Sequence, residues 1–135
     1  MRPFEGVTIL EFSTMITASL AAMMLGEQGA RVIKVEPTDV GDPLRYIGTQ
    51  KGGIASIFAN CNRGKESIRL NLKSPDGQEL IREMANECDV LIHNFRPGVM
   101  DKNGLGSEQV RALNPRLIYA AISGFGIRGP LGAAP

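Results

Sequence analysis

The chain has 135 residues, a formal net charge of +1, and hydrophobic and charged fractions of 43% and 21%, which is ordinary globular composition. The near-neutral balance supplies no basic field for nucleic acid, and 5% aromatic residues without tryptophan offer little surface for stacking bases, so we expect no nucleic-acid partner. No apolar run reaches the roughly 18 residues of a membrane span, and the first residues lack a signal-peptide pattern. We therefore expect a cytoplasmic protein with no membrane partner.

The two cysteines, Cys61 and Cys88, lie far apart in the sequence, and the chain has a single histidine. This pattern contains no zinc-type spacing, so we expect no metal site. Free thiols are common in protein cores and persist in reducing compartments. We expect both cysteines to be reduced and buried.

The first 35 residues predict a strand, a helix and a second strand. Residues 7–12 are rich in aliphatic side chains and indicate a strand. Residues 17–28 are rich in Ala, Leu and Met and predict a helix, which Gly29 would end. A second strand follows over 31–35. Strand, helix and strand at this spacing are typical of a βαβ unit.

A long irregular segment follows, and then the alternation resumes. Residues 38–53 contain several glycines and predict a loop of the kind that is often functional. A short helix is predicted over 54–60, and the alternating pattern of 67–72 predicts a half-buried strand. Ser74 is a suitable N-cap for the next helix, with Pro75 in its first position.

The last third of the chain adds two strands and two short helices. In chain order they are a strand over 89–93, a helix over 99–103, a helix from an N-cap at Ser107 to Leu113, and a strand over 116–122. Five strands with intervening helices predict an α/β fold, a Rossmann-like, mostly parallel sheet with helices on both faces. No helix is predicted after the fifth strand, so we expect a truncated domain.

In an open parallel sheet, ligands bind beyond the carboxyl ends of the strands where the strand order reverses. If the first three strands extend to one side and the fourth lies beside the first, this crevice falls between residues 13–16 and 93–96. The turn after the first strand has no Gly-x-Gly-x-x-Gly pattern, which disfavours NAD and FAD. The chain also has no P-loop motif.

Basic residues flank the predicted strand ends, among them Arg63, Lys65, Lys73, Arg96 and Lys102. Arginine and lysine bind phosphate groups, so these residues could surround a phosphate-rich ligand. Ordinary solvated surface charge explains the same spacing, and both interpretations stay open. His93 has a similar pair of interpretations, as a general base or as a hydrogen-bonded structural residue.

Taken together, the motifs resemble the N-terminal region of the family III CoA-transferases, which include formyl-CoA transferase, the carnitine CoA-transferases and the bile-acid-inducible enzymes. The α-methylacyl-CoA racemases are close relatives of that family. No single segment is decisive, but their order and spacing are specific. The matching segments are Leu10–Phe12, Gly29–Pro37, Gly41–Pro43 with Arg45, Asn62–Ile68, Leu70–Lys73, Asp89–Gly98, Asn114–Ile118, and Ser123–Gly126 with Gly129–Pro130.

The resemblance implies that residues 1–135 form the N-terminal CoA-binding part of a larger transferase domain within an interlocked homodimer. CoA, or acyl-CoA, would be a substrate rather than a permanently bound cofactor, and the other partner would be a carboxylic acid. Two departures from the family pattern affect this site: Thr17-Ala18-Ser19 replaces an Ala-Gly-Pro turn, and Pro37 stands where the family can have a basic residue. The implied CoA contacts are Met15, Leu70, Lys73, Asn94, Phe95 and Lys102, with Arg45 and Arg96 as further anion contacts.

The implied reaction moves CoA between an acyl-CoA thioester and a carboxylic acid through an aspartyl anhydride and an enzyme-CoA thioester. The family's nucleophilic aspartate is expected downstream of Pro135, so no catalytic residue is assigned within the chain. Two alternatives stay open. One is racemisation of a 2-methylacyl-CoA by proton removal beside the carbonyl. The other is a truncated, non-catalytic CoA-binding fragment.

Overall fold

The structure is a computed structural model that describes residues 1–132, so residues 133–135 of the predicted domain lie outside the described residues. Five parallel strands form its central sheet, and two short strands form a separate hairpin. The strands are β1 (Thr8–Phe12), β2 (Arg31–Glu36), β3 (Gln50–Lys51), β4 (Ile54–Ala55), β5 (Glu66–Arg69), β6 (Val90–His93) and β7 (Ile118–Ala121). The helices are α1 (Thr17–Glu27), α2 (Ser56–Asn62), α3 (Pro75–Glu87), α4 (Val99–Lys102) and α5 (Ser107–Leu113), with a 3-10 helix at Pro43–Tyr46.

The strand order is β5-β2-β1-β6-β7, and every neighbouring pair is parallel. In chain order, the first three strands of this sheet are β1, β2 and β5, and they lie side by side from the centre to one edge. The fourth, β6, lies on the other side of β1. In the register, Leu10 of β1 stands opposite Ile33 of β2 and Leu91 of β6. The predicted α/β fold class and the assumed strand order are confirmed. The reversal of strand order therefore lies between β1 and β6.

Apolar side chains cover both faces of this sheet, because successive residues of a strand point to opposite faces. On one face Leu10, Phe12 and Leu91 pack with α3 and the segment that contains α4 and α5. On the other face Ile9 and Ile92 pack against α1. Helices cover both faces, as predicted, and shield the central strands from solvent.

Several helix boundaries follow from identifiable residues. The Ser74 hydroxyl accepts a hydrogen bond from Gly77 N (3.2 Å), and Pro75 occupies the first helical position, as predicted. Helix α1 ends at Glu27, before Gly29 with its positive φ of 112°. The prediction of Ser107 as an N-cap is wrong. Gly106 is the N-cap, and its N–H donates to Gln109 Oε1 (2.8 Å).

The irregular segment is more ordered than predicted. It contains the 3-10 helix Pro43–Tyr46 and the first strand of the β3–β4 hairpin, which turns at Gly52-Gly53 with φ of 59° and 78°. Two consecutive positive φ values are typical of a tight hairpin turn. The helix predicted from Ile54 therefore begins two residues later, since Ile54 and its neighbour pair with β3.

Strand β5 of the central sheet, which was predicted to end at Leu72, ends at Arg69. Leu70 N still donates to Glu36 O (2.9 Å), but the chain then turns, and Ser74 N donates to Asn71 O (3.1 Å). The turn that precedes α3 thus stops the strand.

Both cysteines are unpaired and buried, as predicted. Burial, with a smaller effect from Asp89, raises the pKa of the Cys88 thiol to about 11, so this thiol stays protonated.

Within residues 1–132, the helices are all too short or too polar to cross a membrane.

Gly77 gives a test of packing against helix propensity. Propensity alone favours alanine over glycine by about 1 kcal/mol within a helix. At this position an alanine Cβ would overlap the carbonyl oxygen of Asn71. We expect Gly77→Ala to destabilise the fold by about 1–3 kcal/mol in urea unfolding, because the turn before α3 must shift. Glu83→Ala on the exposed side of α3 is the control and should be near neutral. Stabilisation by Gly77→Ala would contradict this packing.

Candidate functional site

The carboxyl ends of β1 and β6 are joined by Asn94. Its side-chain amide donates to Thr14 O (2.7 Å) and Thr17 Oγ1 (3.0 Å), and its Oδ1 accepts from Thr14 N (3.0 Å). The Asn94 side chain thus satisfies both backbone groups of Thr14, two residues after the end of β1, as a neighbouring strand would. The two segments predicted to border the crevice lie in direct contact.

A groove of about 520 Å³ opens beside this junction. It lies at the carboxyl ends of β2 and β5 and reaches the segment after β6. Its lining surface is mostly apolar, and the polar residues in it are Thr14, Glu36, Thr38, Asp39, Asn71, Lys73 and Asn103. Such a combination suits a ligand that has a flat apolar part and charged groups. The apolar lining residues are Val35, Pro37, Leu70, Leu72 and Phe95.

Three of the predicted contact residues, Leu70, Lys73 and Phe95, line this one groove. Leu70 and Phe95 are half-buried and also pack against the core, whereas Lys73 is exposed. Asn94 and Met15 do not line the groove, but both adjoin its lining residue Thr14, Asn94 through hydrogen bonds and Met15 as the next residue in the chain. The structure therefore places three of the eight predicted residues in the groove lining and two more beside its lining residue Thr14.

The remaining predicted residues, Arg45, Arg96 and Lys102, do not line the groove either. Arg96 and Lys102 are exposed, and Lys102 directly precedes the groove residue Asn103. Arg45 is held elsewhere. Its Nε and Nη2 donate to the Glu36 carboxylate (2.8 and 2.5 Å), and its guanidinium lies 4.0 Å from the centre of the Phe58 ring. The anion contacts predicted for these three residues stay predictions.

Glu36 accepts a dense set of hydrogen bonds at the end of β2. Besides Arg45, the donors are the Ser67 hydroxyl (2.6 Å) and Asp42 N (2.8 Å). Burial alone would raise the pKa of this carboxyl, but the hydrogen bonds from Arg45, Ser67 and Asp42 outweigh it and lower the pKa to about 2. Glu36 is therefore charged throughout the neutral and mildly acidic range.

A buried ammonium group, that of Lys34, organises the space under the Thr14 turn. Only 1% of this side chain is exposed, and its Nζ lies 2.9 Å from Glu11 Oε1 and 3.0 Å from Asp42 Oδ2. Nζ also contacts the hydroxyls of Ser13 (2.9 Å) and Ser19 (3.1 Å). A buried charge is tolerated only when it is paired and hydrogen-bonded, as it is here.

Lys65 supplies a second ammonium group to the same carboxylate. Its Nζ lies 2.6 Å from Glu11 Oε2 and donates to Ser19 O (2.8 Å) and Asn62 Oδ1 (2.9 Å). Burial lowers its pKa, and the neighbouring Glu11 opposes that change. The sequence leaves Lys65 open as a phosphate ligand or a surface charge. It is instead a buried structural cation.

Sequence reasoning assigned no role to Glu11, Lys34, Glu36 or Asp42, but a signal was present. Glu11 and Lys34 each interrupt an aliphatic strand of the central sheet, where both faces are covered and charged residues are rarely left unpaired. Opposite charges in adjacent buried strands predict an ion pair.

His93 has a structural role in this fold. Its ring is buried, and its Nδ1 accepts a hydrogen bond from Phe95 N (3.2 Å), so Nδ1 is unprotonated. Burial lowers the pKa of His93, with Asp101 acting weakly in the opposite direction. The neutral ring shapes the turn that presents Phe95 to the groove.

Comparison with known proteins identifies the family. The family model described as CoA-transferase family III matches residues 4–135. The chain belongs to CoA-transferase family III. The resemblance inferred from the motifs is confirmed.

Similar family III proteins have been described from several organisms. The chain is 44% identical to the acetyl-CoA:oxalate CoA-transferase of Acetobacter aceti, over 98% of this chain and 34% of that protein. It is 38% identical to the human succinyl-CoA:glutarate CoA-transferase, over 97% of this chain and 30% of that protein. A CaiB/BaiF family protein from Brucella suis superposes with a TM-score of 0.92 and 38% identity, over 98% of this chain and 36% of that one. The chain thus spans about a third of the length of these relatives.

The low pKa of Glu36 predicts an acid-dependent loss of stability. Its folded-state pKa of about 2 lies below the ordinary value of 4.5, so its stabilisation is present above pH 4.5 and is lost as the pH falls toward 2. The shift corresponds to at most about 3–4 kcal/mol. Glu36→Gln should be destabilised at pH 7 and show a flatter dependence of unfolding free energy on pH below 4.5.

The control for this measurement is Glu66→Gln. Glu66 also pairs with an arginine, Arg31, but both side chains are more than half exposed, so water and salt weaken the pair. We expect this variant to keep the wild-type pH dependence almost unchanged. Equal behaviour of the two variants would contradict the role assigned to Glu36.

Proposed function

We propose that the chain is the N-terminal CoA-binding part of an enzyme that transfers CoA from an acyl-CoA thioester to a carboxylic acid. The observation that carries the proposal is the family III match over residues 4–135, with relatives that are named as CoA-transferases. CoA is in this proposal a substrate that enters and leaves, and no permanently bound cofactor is needed.

The groove provides physical support. CoA has a flat adenine ring, several phosphate charges and a long flexible arm that ends in the thiol. In this proposal Phe95 lies against the adenine, since an aromatic ring half-buried at a groove wall offers a stacking surface. The exposed ammonium of Lys73 attracts the phosphates as a point charge. An apolar floor with a cation at its edge suits both parts of the ligand.

The turn after β1 is the proposed opposite border of the ligand. Met15 has 40% of its surface exposed and stands beside Thr14, which lines the groove. Asn94 acts in this proposal mainly by holding the turn, because its amide is already committed to Thr14 and Thr17. Arg96 and Lys102 would contact phosphates at the outer edge, and Arg45 would do so only if it left Glu36.

The proposed chemistry is nucleophilic. An aspartate carboxylate attacks the thioester carbonyl. The C–S bond breaks, the CoA thiolate departs, and a mixed anhydride of the aspartate and the acyl group forms. The thiolate then attacks the aspartyl carbonyl and releases the acid, which leaves an enzyme-CoA thioester for the second acid. We place this aspartate beyond Pro135 and assign it to none of the described residues. The part of the protein described here would bind and orient the CoA.

Assembly and location are further parts of the proposal. The family resemblance favours an interlocked homodimer, and two buried, unpaired cysteines are typical of a reducing compartment such as the cytoplasm. For the acid, the relatives are named for oxalate and glutarate, so dicarboxylates are the first acceptors to assay.

The reaction is tested with the full-length protein. Incubated with acetyl-CoA or succinyl-CoA and a panel of dicarboxylates, it should produce a new CoA thioester and the free donor acid, measured by liquid chromatography and mass spectrometry. Epimerisation of a 2-methylacyl-CoA without acid exchange would replace the transferase proposal with the racemase alternative. If the protein shows neither activity but still binds CoA, this result would support a role in binding alone.

Phe95 gives a finer test. Stacking on adenine is a ground-state contact that persists in the transition state, so Phe95→Ala in the full-length enzyme should raise the KM for acyl-CoA more than it lowers kcat. Leu113→Ala is the control, because Leu113 is 47% exposed and belongs to α5, away from the groove lining. An unchanged KM with a collapsed kcat would contradict the stacking role.

A further inference from the structure

Met15 has an unusual backbone conformation. Its φ is +64°, and it is the one residue other than glycine with a positive φ among residues 1–132. The left-handed region is unfavourable for an unbranched residue with a Cβ, and single strained residues persist only where their surroundings hold them. Such residues often cluster at binding sites. Met15 occupies the turn between β1 and α1, directly beside the groove residue Thr14.

The Asp42 carboxylate holds this conformation from below. Its Oδ1 accepts a hydrogen bond from Met15 N (3.1 Å) and a second from Leu44 N (2.9 Å). Its Oδ2 faces the Lys34 ammonium at 3.0 Å and has no hydrogen-bond donor with good geometry within residues 1–132. The side chain of Asp42 is fully buried. Each oxygen is thus committed, and the carboxylate cannot turn away from Met15 without leaving Lys34.

Asn94 holds the other side of the same turn. It accepts from Thr14 N and donates to Thr14 O, so consecutive backbone N–H groups, those of Thr14 and Met15, point to two different side-chain acceptors. One acceptor follows β6 and the other belongs to the segment after β2. The turn is therefore fixed by contacts that are distant in the sequence.

We propose that Asp42 is a positioning residue for acyl-CoA binding. It acts by holding Met15 in the left-handed conformation. The inference rests on the proposed function of the groove. Asp42 itself is buried under the turn and is absent from the groove lining, so it acts on the ligand only through the Thr14–Met15 backbone. Without it, Met15 relaxes toward negative φ, and the border of the groove changes shape.

The experiment measures both the turn and the ligand in the same variants. In Asp42→Ala, the Met15 amide should lose its protection from hydrogen exchange in a ¹⁵N-labelled sample, because its acceptor is gone. The Kd for CoA, measured by calorimetry, should rise about tenfold, the factor that corresponds to the cost of a left-handed residue.

Asp89→Ala is the matched control. Asp89 also accepts a backbone N–H of the first strand, that of Thr8 (2.9 Å), but at the opposite end of the sheet. This variant should lose stability without a change in the Kd for CoA.

A rescue separates positioning from a merely structural role. Glycine adopts positive φ readily, so Met15→Gly removes the strain that Asp42 has to hold. The loss of CoA affinity caused by Asp42→Ala should therefore be much smaller when position 15 is glycine than when it is methionine. Equal losses in the two backgrounds would overturn the positioning role, even if Asp42→Ala also lowers stability.

The two proposals fail in different ways. Absence of CoA binding by the wild-type protein would overturn the proposed function of the groove, and the ligand role of Asp42 with it. Wild-type binding with an unchanged Kd in Asp42→Ala would overturn the positioning role alone.

Discussion

The structure depends on one buried ammonium group. Lys34 lies under the carboxyl end of the sheet, between the carboxylates of Glu11 and Asp42, and is almost inaccessible to water. A charge in this position is stable only with its partners, and removing one member of such a buried pair typically costs about 3–5 kcal/mol. The pairing therefore does more than stabilise β1 against β2. It requires the segment after β2 to fold back over the sheet so that Asp42 reaches the ammonium. Asp42 in turn fixes the positions of the 3-10 helix and of the turn after β1, since it accepts hydrogen bonds from Leu44 N and Met15 N.

The groove is the consequence of this arrangement and of the strand order. The order reverses between β1 and β6, where Asn94 joins the segments that leave these strands, and the groove opens beside this junction at the ends of β2 and β5. Beside the network, Leu70, Leu72 and Phe95 are half-buried and line the groove. An apolar floor beside the exposed Lys73 follows. The charges of the buried network compensate one another, so they contribute shape to the groove rather than a net field.

Much of this could be predicted from particular residues. The aliphatic runs around Leu10 and Leu91 indicated central strands, and the Ser74-Pro75 pair marked the start of α3 correctly, because both signals are local. The strand order was predicted correctly, but the segments after β1 and β6 are in contact, and the groove opens beside them at the ends of β2 and β5. The β3–β4 hairpin was missed because its strands have two residues each and too little pattern to detect. The carboxylate partners of Arg45 and Lys65 could not be predicted, because basic residues look the same in sequence whichever anion they meet.

The amino-acid sequence by itself determined the fold class, the order of elements and the membership of family III, because periodicity, capping residues and ordered motifs are all carried by neighbours in the chain. Only the tertiary structure decided which charges are buried together, and that Met15 is left-handed. The ion pairs of Glu11, for example, join residues 23 and 54 positions apart, Lys34 and Lys65, and their energies exist only once the strands have excluded water.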